Sequence, residues 1–181
     1  LFGLTWAFLI NIRSGYIKEG GSTITQQVAR TIFLNNELSF KRKFHEIIIS
    51  LILDLKYSKQ EILKIYLNNI YLGSGAYGIN EAAQIYFGKL INELTLSEIA
   101  LFAGLAPAPS IFSPFENYEL AIEKRNDILI SMHEEEIISL DELAKALSEE
   151  INLIDIRGRL NDNLLINFIL AGANEILINN L

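Results

Sequence analysis

The chain of 181 residues has no cysteine, three prolines, one methionine and two histidines. Without cysteine, neither a disulfide framework nor a thiolate metal site can form. The two histidines, His45 and His133, are too few and too far apart in the sequence to make a histidine-rich metal centre. We therefore assign no metal ligands from the sequence.

Long apolar runs are also missing. No stretch approaches the 18 or so consecutive apolar residues that span a bilayer, and no signal-peptide pattern is present. Half of the residues are nevertheless apolar and 20% are charged, which is enough for a substantial core. Because the chain begins at Leu1 without an initiator methionine, we expect it to be a fragment of a longer protein.

The net charge of −7 is unevenly distributed. Residues 1–43 carry six basic and two acidic side chains, whereas the remainder carries nine basic and twenty acidic ones. An acidic chain is a poor general binder of nucleic acid, because that affinity depends on many phosphate contacts. A positive N-terminal part suits a small anionic ligand or a membrane surface instead.

Helix signals dominate the chain, and strand signals are sparse. Capping-box pairs predict helix starts at Ser58 with Glu61, Thr95 with Glu98, and Ser139 with Glu142. The segment Phe40–Lys56 is apolar on nearly all sides after its first turn, which predicts a buried helix. Pro107 should end the helix before it. The sequence therefore predicts an all-α fold.

A glycine-rich segment offers a competing interpretation. Gly73–Gly78 fits the G-x-G-x-x-G pattern of dinucleotide-binding loops. That pattern is informative only after a buried strand within a βαβ unit, and here a helix-periodic segment precedes it. We predict a tight turn in which the backbone passes close to its neighbours.

Two short segments hold the side chains that suit a site. In Gly20–Arg30, two glycines precede Thr23 and Gln26, which fit a capping box, and a new helix N-terminus suits a phosphate. Two adjacent glutamines add amide groups of the kind that bind sugar hydroxyls. In the second segment, Lys43 and Glu46 share one helix face. Each segment alone is typical of a turn or a solvated helix, but together they predict a sugar-phosphate site.

Three segments resemble the second, third and fourth motifs of the peptidoglycan glycosyltransferase (transglycosylase) domain, namely GGSTITQQVAR, SFKRKFHE and EILKIYLNNIYLGSGAYGINEAAQIYFGK. A later segment, ELTLSEIALFAGLAPAPSIFSP, resembles the fifth region. This domain forms the N-terminal half of class A penicillin-binding proteins and also occurs alone in monofunctional transglycosylases. We expect residues 1–132 to form it, and residues 133–181 to be a helical extension leading towards a transpeptidase domain.

The resemblance implies a lysozyme-like fold with a membrane-associated jaw, to which Leu1–Ile12 would belong. It implies polymerisation of lipid II on a growing glycan strand, with inversion and loss of polyprenyl pyrophosphate. The implied location is the periplasmic face of the bacterial inner membrane. The expected partners are lipid II, the glycan strand, the membrane surface and cell-division or elongation proteins, with no nucleic acid. Members often use a divalent cation, Mg²⁺ or Mn²⁺, at the pyrophosphate, although no carboxylate cluster here specifies one.

The resemblance also assigns residues by position. Catalytic roles fall on Lys43 and on Glu46, the second carboxylate of the family. The substrate-binding positions are Ser22, Thr25, Gln26, Gln27, Arg30 and Arg42. Of these, Arg30 and Arg42 join Lys43 as the cations that stabilise the leaving pyrophosphate.

The sequence departs from the family pattern in three places. The family's first motif, E-D-x-x-F-x-x-H-x-G, carries its principal catalytic glutamate, and nothing like it occurs in these 181 residues. Leu38 stands where an arginine is usual, and Arg30 where a lysine is usual, which keeps the charge but changes its geometry. We expect the isolated chain to be inactive and the full-length protein to be active.

Two other functions remain open at this point. One is a lysozyme-like enzyme that cleaves glycans with paired carboxylates. The other is a helical scaffold without catalytic activity that binds lipid or a partner protein. Growth of glycan chains, release of short fragments and the absence of turnover distinguish the three.

Overall fold

The computed structural model describes residues 22–34 and 39–154. These residues form seven α-helices: α1 Ile24–Phe33, α2 Phe40–Lys56, α3 Lys59–Asn69, α4 Ile79–Phe87, α5 Leu96–Leu105, α6 Tyr118–Glu134 and α7 Leu140–Ser148. A 3₁₀ helix covers Ile91–Glu93, and the described part holds no strand beyond one bridge between Tyr71 and Tyr77. The all-α prediction is confirmed for these residues.

Some predictions fall outside the described residues. They concern the membrane-associated segment Leu1–Ile12, the substitution at Leu38, and the extension beyond residue 154. Within the described part, every helix is too short or too polar to cross a membrane.

Short polar side chains start most of the helices, as the sequence predicts. Thr23 accepts a hydrogen bond from the Gln26 backbone N–H at the start of α1, although without the reciprocal bond of a full capping box. Complete capping boxes start α3, α5 and α7, which confirms the three predicted pairs. Helix α5 ends at Leu105, just before Pro107.

The chain divides into two compact units. The first runs up to Tyr71 and includes Tyr77–Ile79; the second consists of Leu72–Ala76 and the residues from Asn80 onward. In the first unit, α1 packs against both α2 and α3. Its apolar core consists of Val28, Ala29, Leu53 and Ile62, with Ile49, Ile65 and Tyr66 packed against them.

Helix α2 is oriented against expectation. The prediction that it is buried is wrong, because its apolar side chains are mostly exposed, among them Phe40 at 98% and Leu55 at 87%. Its buried residues are Glu46, Ser50 and Leu53. Four polar residues, Arg42, Glu46, Ser50 and Asp54, recur every four positions along α2. Of this polar stripe, Glu46 and Ser50 are buried, Arg42 is partly exposed and Asp54 is exposed.

The second unit has an aromatic core and an aliphatic one. The fully buried Tyr86 lies against the rings of Phe102 and Phe115, and its hydroxyl donates a 2.7 Å hydrogen bond to the Leu72 carbonyl. The aliphatic core joins α5, α6 and α7 through Ala100, Leu129, Ile138, Leu143 and Ala146. Helix α6 continues past residue 132 to Glu134, so residues on both sides of the predicted boundary share this core. The boundary itself stays a prediction.

The glycine-rich segment is a tight turn, as predicted. Gly73, Gly75 and Gly78 all adopt positive φ angles, between 83° and 89°, which favour glycine. A Cβ atom on Gly78 would lie 2.4 Å from the Asn68 carbonyl oxygen, and one on Gly73 would lie 2.7 Å from the Tyr86 hydroxyl. The backbone therefore passes close to its neighbours at both positions.

Candidate active site

The site lies in the first unit and begins with a carboxylate that is removed from water. Glu46 is 0% exposed and lies one turn into α2, whose start Ser39 caps by accepting a hydrogen bond from the Arg42 N–H. Leaving such a carboxylate unpaired would cost several kcal/mol. Glu46 Oε2 accepts a 2.5 Å hydrogen bond from Arg42 Nη1, and Oε1 accepts one from Lys43 Nζ. Both carboxylate oxygens are thus engaged by cations of the same helix.

The two segments that the sequence singles out meet at Lys43. Its Nζ donates a second hydrogen bond, 2.9 Å long, to the Ser22 hydroxyl just before α1. Ser22 and Lys43 are 21 positions apart in the chain, and the packing of α1 on α2 brings them together. Hydroxyl, ammonium, carboxylate and guanidinium groups therefore form one connected cluster.

The cluster retains unused hydrogen-bonding capacity. Lys43 has three N–H donors, of which two are engaged, and its side chain is 37% exposed. Among the described residues, Arg42 Nε and Gln26 Oε1 are buried without a hydrogen-bond partner. Buried polar atoms in native structures normally have partners. A donor and an acceptor are thus available to a ligand or to water.

The remaining predicted site residues lie on α1. Thr25 is buried, and its hydroxyl donates a 2.9 Å hydrogen bond to Asp54 Oδ1. Gln27 and Arg30 are partly exposed, and neither is hydrogen-bonded to the Glu46 cluster within the described residues. Arg30 lies close enough to Tyr66 to act on its pKa, which burial raises and the arginine charge lowers to a smaller extent. The structure therefore joins Ser22, Arg42, Lys43 and Glu46 directly, and leaves Arg30 outside that cluster.

Asp54 is the residue that sequence reasoning missed. A signal for it exists in the sequence, because Arg42, Glu46, Ser50 and Asp54 are spaced by four positions along an otherwise apolar helix. Residues four apart lie on one helix face. This polar stripe predicts a polar contact along the whole length of α2, rather than at its charged start alone.

The side chains of the site do not fit a protein-held metal ion. Among residues 22–34 and 39–154, no three histidine, aspartate or glutamate side chains converge. Both oxygens of Glu46 are already hydrogen-bonded to cations, which would repel a divalent ion. These residues supply positive charge of their own.

Comparison with known proteins finds a family model and several relatives that match most of the chain. The family model described as transglycosylase matches residues 1–133. Penicillin-binding protein 1A of Pseudomonas aeruginosa is 48% identical over 141 residues, which cover 78% of this chain and 17% of that protein. Its counterpart in Neisseria cinerea is 45% identical over 152 residues (84% and 19%), and that of Aquifex aeolicus 43% over 147 residues (81% and 20%). The chain thus spans a fifth or less of the length of these relatives.

A solved structure shows the fold. The crystal structure of penicillin-binding protein 1A from Haemophilus influenzae is 40% identical in sequence, with a TM-score of 0.52, and the match covers 72% of this chain and 16% of that one. The predicted lysozyme-like, all-α fold class is confirmed by this match. With a family match over residues 1–133 and relatives at 43–48% identity, the chain belongs to the transglycosylase family.

Proposed function

We propose that the chain forms the larger part of a peptidoglycan glycosyltransferase domain that polymerises lipid II into glycan strands. Membership of the transglycosylase family supports the reaction class. The observation that carries the proposal is the link from buried Glu46 through Lys43 to Ser22, because it joins both motif segments in one positively charged cluster.

The reaction requires the stabilisation of a leaving group. The 4-hydroxyl of the incoming unit forms a bond to the anomeric carbon of the growing strand, and the bond from that carbon to the pyrophosphate oxygen breaks. The pyrophosphate leaves with the electron pair, while the hydroxyl proton passes to a base. Lys43 and Arg42 would bind the negative charge that develops on the leaving group. One prearranged donor of this kind is commonly worth about 10²–10³ in rate.

We propose that Glu46 holds the two cations in place. Its oxygens accept hydrogen bonds from Arg42 and Lys43, so in this arrangement the carboxylate is already engaged by two cations. A carboxylate in that position orients its cations and balances their charge while the site is empty. The principal base would then be the glutamate of the family's first motif. Because that motif is not among these residues, we expect the isolated chain to form no glycan strands.

The exposed side of α2 supports a location at the membrane. Among its exposed apolar side chains, Phe44 is 62% and Leu51 is 58% exposed. Large exposed apolar surfaces are typical of membrane or protein contacts. A lipid-linked substrate has to be taken from a bilayer, so we propose that this face touches the outer leaflet of the bacterial inner membrane.

Flotation of the 181-residue chain with liposomes tests this surface. Replacing Phe44 and Leu51 together by asparagine is expected to lower the lipid-bound fraction. Ile137 is 66% exposed in the second unit and provides the matched control. Ile137→Asn is expected to leave binding unchanged, and an equal loss in both variants would contradict the assignment.

The function is tested with the parent protein, by which we mean the gene product that includes this chain. Purified parent is incubated with labelled lipid II, and the glycan strands are separated by electrophoresis. Lys43→Ala is expected to slow strand growth by about 10²–10³-fold. Lys41→Ala changes an exposed lysine two positions away on the same helix and is expected to leave the rate unchanged.

Each other outcome identifies another function. Release of short fragments from isolated cell walls, without chain growth, would identify a glycan-cleaving enzyme. The absence of any turnover by the parent would identify a binding scaffold. Equal rates for Lys43→Ala and Lys41→Ala would remove Lys43 from the site.

A further inference from the structure

We propose that Asp54 and Thr25 form a positioning pair that sets the start of α1 against α2 in the site. The proposal rests on the proposed function. Its basis is the 2.9 Å hydrogen bond from the Thr25 hydroxyl to Asp54 Oδ1, which joins residues 29 positions apart in the chain. Among the described residues, neither Thr25 nor Asp54 is hydrogen-bonded to the Glu46 cluster, so the pair would act on the reaction through the geometry of α1.

The pair lies where α1 needs a negative charge. The first turn of α1 contains no acidic residue, although carboxylates near a helix N-terminus are stabilising. Thr25 belongs to that turn, so a carboxylate bonded to its hydroxyl lies beside the positive end of the helix. Asp54 therefore supplies from α2 the charge that the sequence of α1 lacks.

Two side chains of α2 hold the start of α1. Lys43 holds Ser22 before the helix, and Asp54 holds Thr25 inside its first turn. Gln26, the residue after Thr25, is buried, and its side-chain oxygen has no hydrogen-bond partner among the described residues. If the bond between Thr25 and Asp54 is lost, the bond between Lys43 and Ser22 still joins the two segments, but it holds only the residue before α1. The groups at the start of α1 would then shift relative to the cations.

The hydroxyl hydrogen of Thr25 is committed to Asp54, which revises the expected role of Thr25. Loss of a contact made equally to bound substrate and transition state raises KM at unchanged kcat, whereas loss of transition-state stabilisation lowers kcat. Misplacement of the catalytic groups belongs to the second case. We therefore assign Thr25 a positioning role in place of the substrate-binding role expected from the sequence.

The test compares variants of the parent protein by their kcat and KM for lipid II. Thr25→Val removes the hydroxyl at nearly constant volume, and Asp54→Ala removes its acceptor. Each is expected to lower kcat by about 10–100-fold with KM changed by less than about twofold, because small misplacements can cost up to about 10²-fold in rate. The double variant is expected to be no slower than the slower single one, since the pair acts as a unit.

Two conservative variants provide controls. Thr25→Ser keeps the hydroxyl and is expected to restore the rate. Thr31→Val makes the same change at an exposed threonine of α1 and is expected to behave like the wild type. A raised KM with normal kcat in Thr25→Val would show direct substrate contact and overturn the proposal. Additive losses in the double variant would also overturn it.

Hydrogen exchange of the peptide that covers residues 22–30 tests the structural effect of the pair independently of catalytic activity. Exchange is expected to be faster in Thr25→Val and Asp54→Ala and unchanged in Thr31→Val. Unchanged exchange in the first two variants would refute the pair even if the enzyme is active. Faster exchange in a parent that makes no glycan strands would mean that the proposed function alone has failed.

Discussion

Replacing Glu46 by glutamine is the sharpest test of the cation cluster. The substitution keeps the size and shape of the side chain but turns one of its two oxygens into an amide donor. In the wild type, both oxygens accept hydrogen bonds from cations, and Glu46 is 0% exposed. The amide group must therefore face Arg42 or Lys43, donor against donor, and one cation loses its partner.

The magnitude follows from the exposure of those partners. Breaking a fully buried ion pair costs about 3–5 kcal/mol. The side chain of Lys43 is 37% exposed and can turn to water, whereas that of Arg42 is only 13% exposed. We therefore expect a loss of stability of about 1–3 kcal/mol, as for one unsatisfied buried hydrogen bond. A domain of ordinary stability remains folded after such a loss. The rate of strand growth is expected to fall by about 10²–10³-fold, because the cations are no longer prearranged.

The assay measures strand growth on labelled lipid II together with thermal unfolding of the parent protein. Glu98 of the second unit provides the matched control, because it is 4% exposed and forms a 2.6 Å ion pair with Lys89. Glu98→Gln is expected to cost comparable stability and to leave kcat near normal. A normal rate in Glu46→Gln, or an equal loss in both variants, would refute the argument that Glu46 organises the cations.

Three further predictions concern stability and are measured by thermal unfolding. Gly78→Ala is expected to destabilise the fold by about 2 kcal/mol more than Gly75→Ala, because both glycines have φ of 83° but only at Gly78 would a Cβ atom clash with a backbone carbonyl. Equal losses of stability in the two variants would contradict this prediction. Hydrogen bonds from the Ser58 backbone and hydroxyl hold the pKa of Glu61 below its ordinary 4.5, so this cap stabilises the fold above pH 4.5 and loses its effect as the pH falls through the lower folded-state pKa. Glu61→Gln is expected to remove that part of the pH dependence of stability, and an unaltered pH profile would contradict the prediction. Arg125→Met removes a buried guanidinium bonded to a serine hydroxyl and two backbone carbonyls and is expected to cost about 1–3 kcal/mol, the penalty for buried groups left without a partner. Arg125→Lys is expected to recover a part of this loss, and an unchanged unfolding temperature in Arg125→Met would contradict the prediction.

Local signals in the sequence predict the helix boundaries well. A serine or threonine followed three positions later by glutamate marks three helix starts, and the structure has a capping box at each. These signals work because the cap and its partner are neighbours in the chain, so no tertiary information is needed. The glycine-rich turn is predictable for the same reason, since its positive φ angles are a local requirement.

Contacts between helices are harder to predict. The meeting of Ser22 with Lys43 is suggested by two motifs of matching chemistry. The spacing that includes Asp54 indicates a polar contact of α2, but it does not identify Thr25 as the partner. Burial of Arg125 is equally invisible from its neighbours in the sequence. Besides the adjacent Asn126, its partners are Ser97 and the backbone of residues 147 and 149, which only the packing of the second unit brings to it.

The wrong prediction for α2 has a definite physical origin. Most of its residues are apolar, so average hydrophobicity favours burial of the whole helix. What decides its orientation is the match between its narrow polar stripe and the partner surface. Thr25 of α1 is hydrogen-bonded to Asp54 of the stripe, and the buried carboxylate of Glu46 needs partners, which Arg42 and Lys43 provide on the polar side of α2. Glu46 and Ser50 of the polar stripe therefore face inward, and most of the apolar side chains are left outside. The proposed substrate, which carries both a pyrophosphate and a lipid chain, requires surfaces of both kinds.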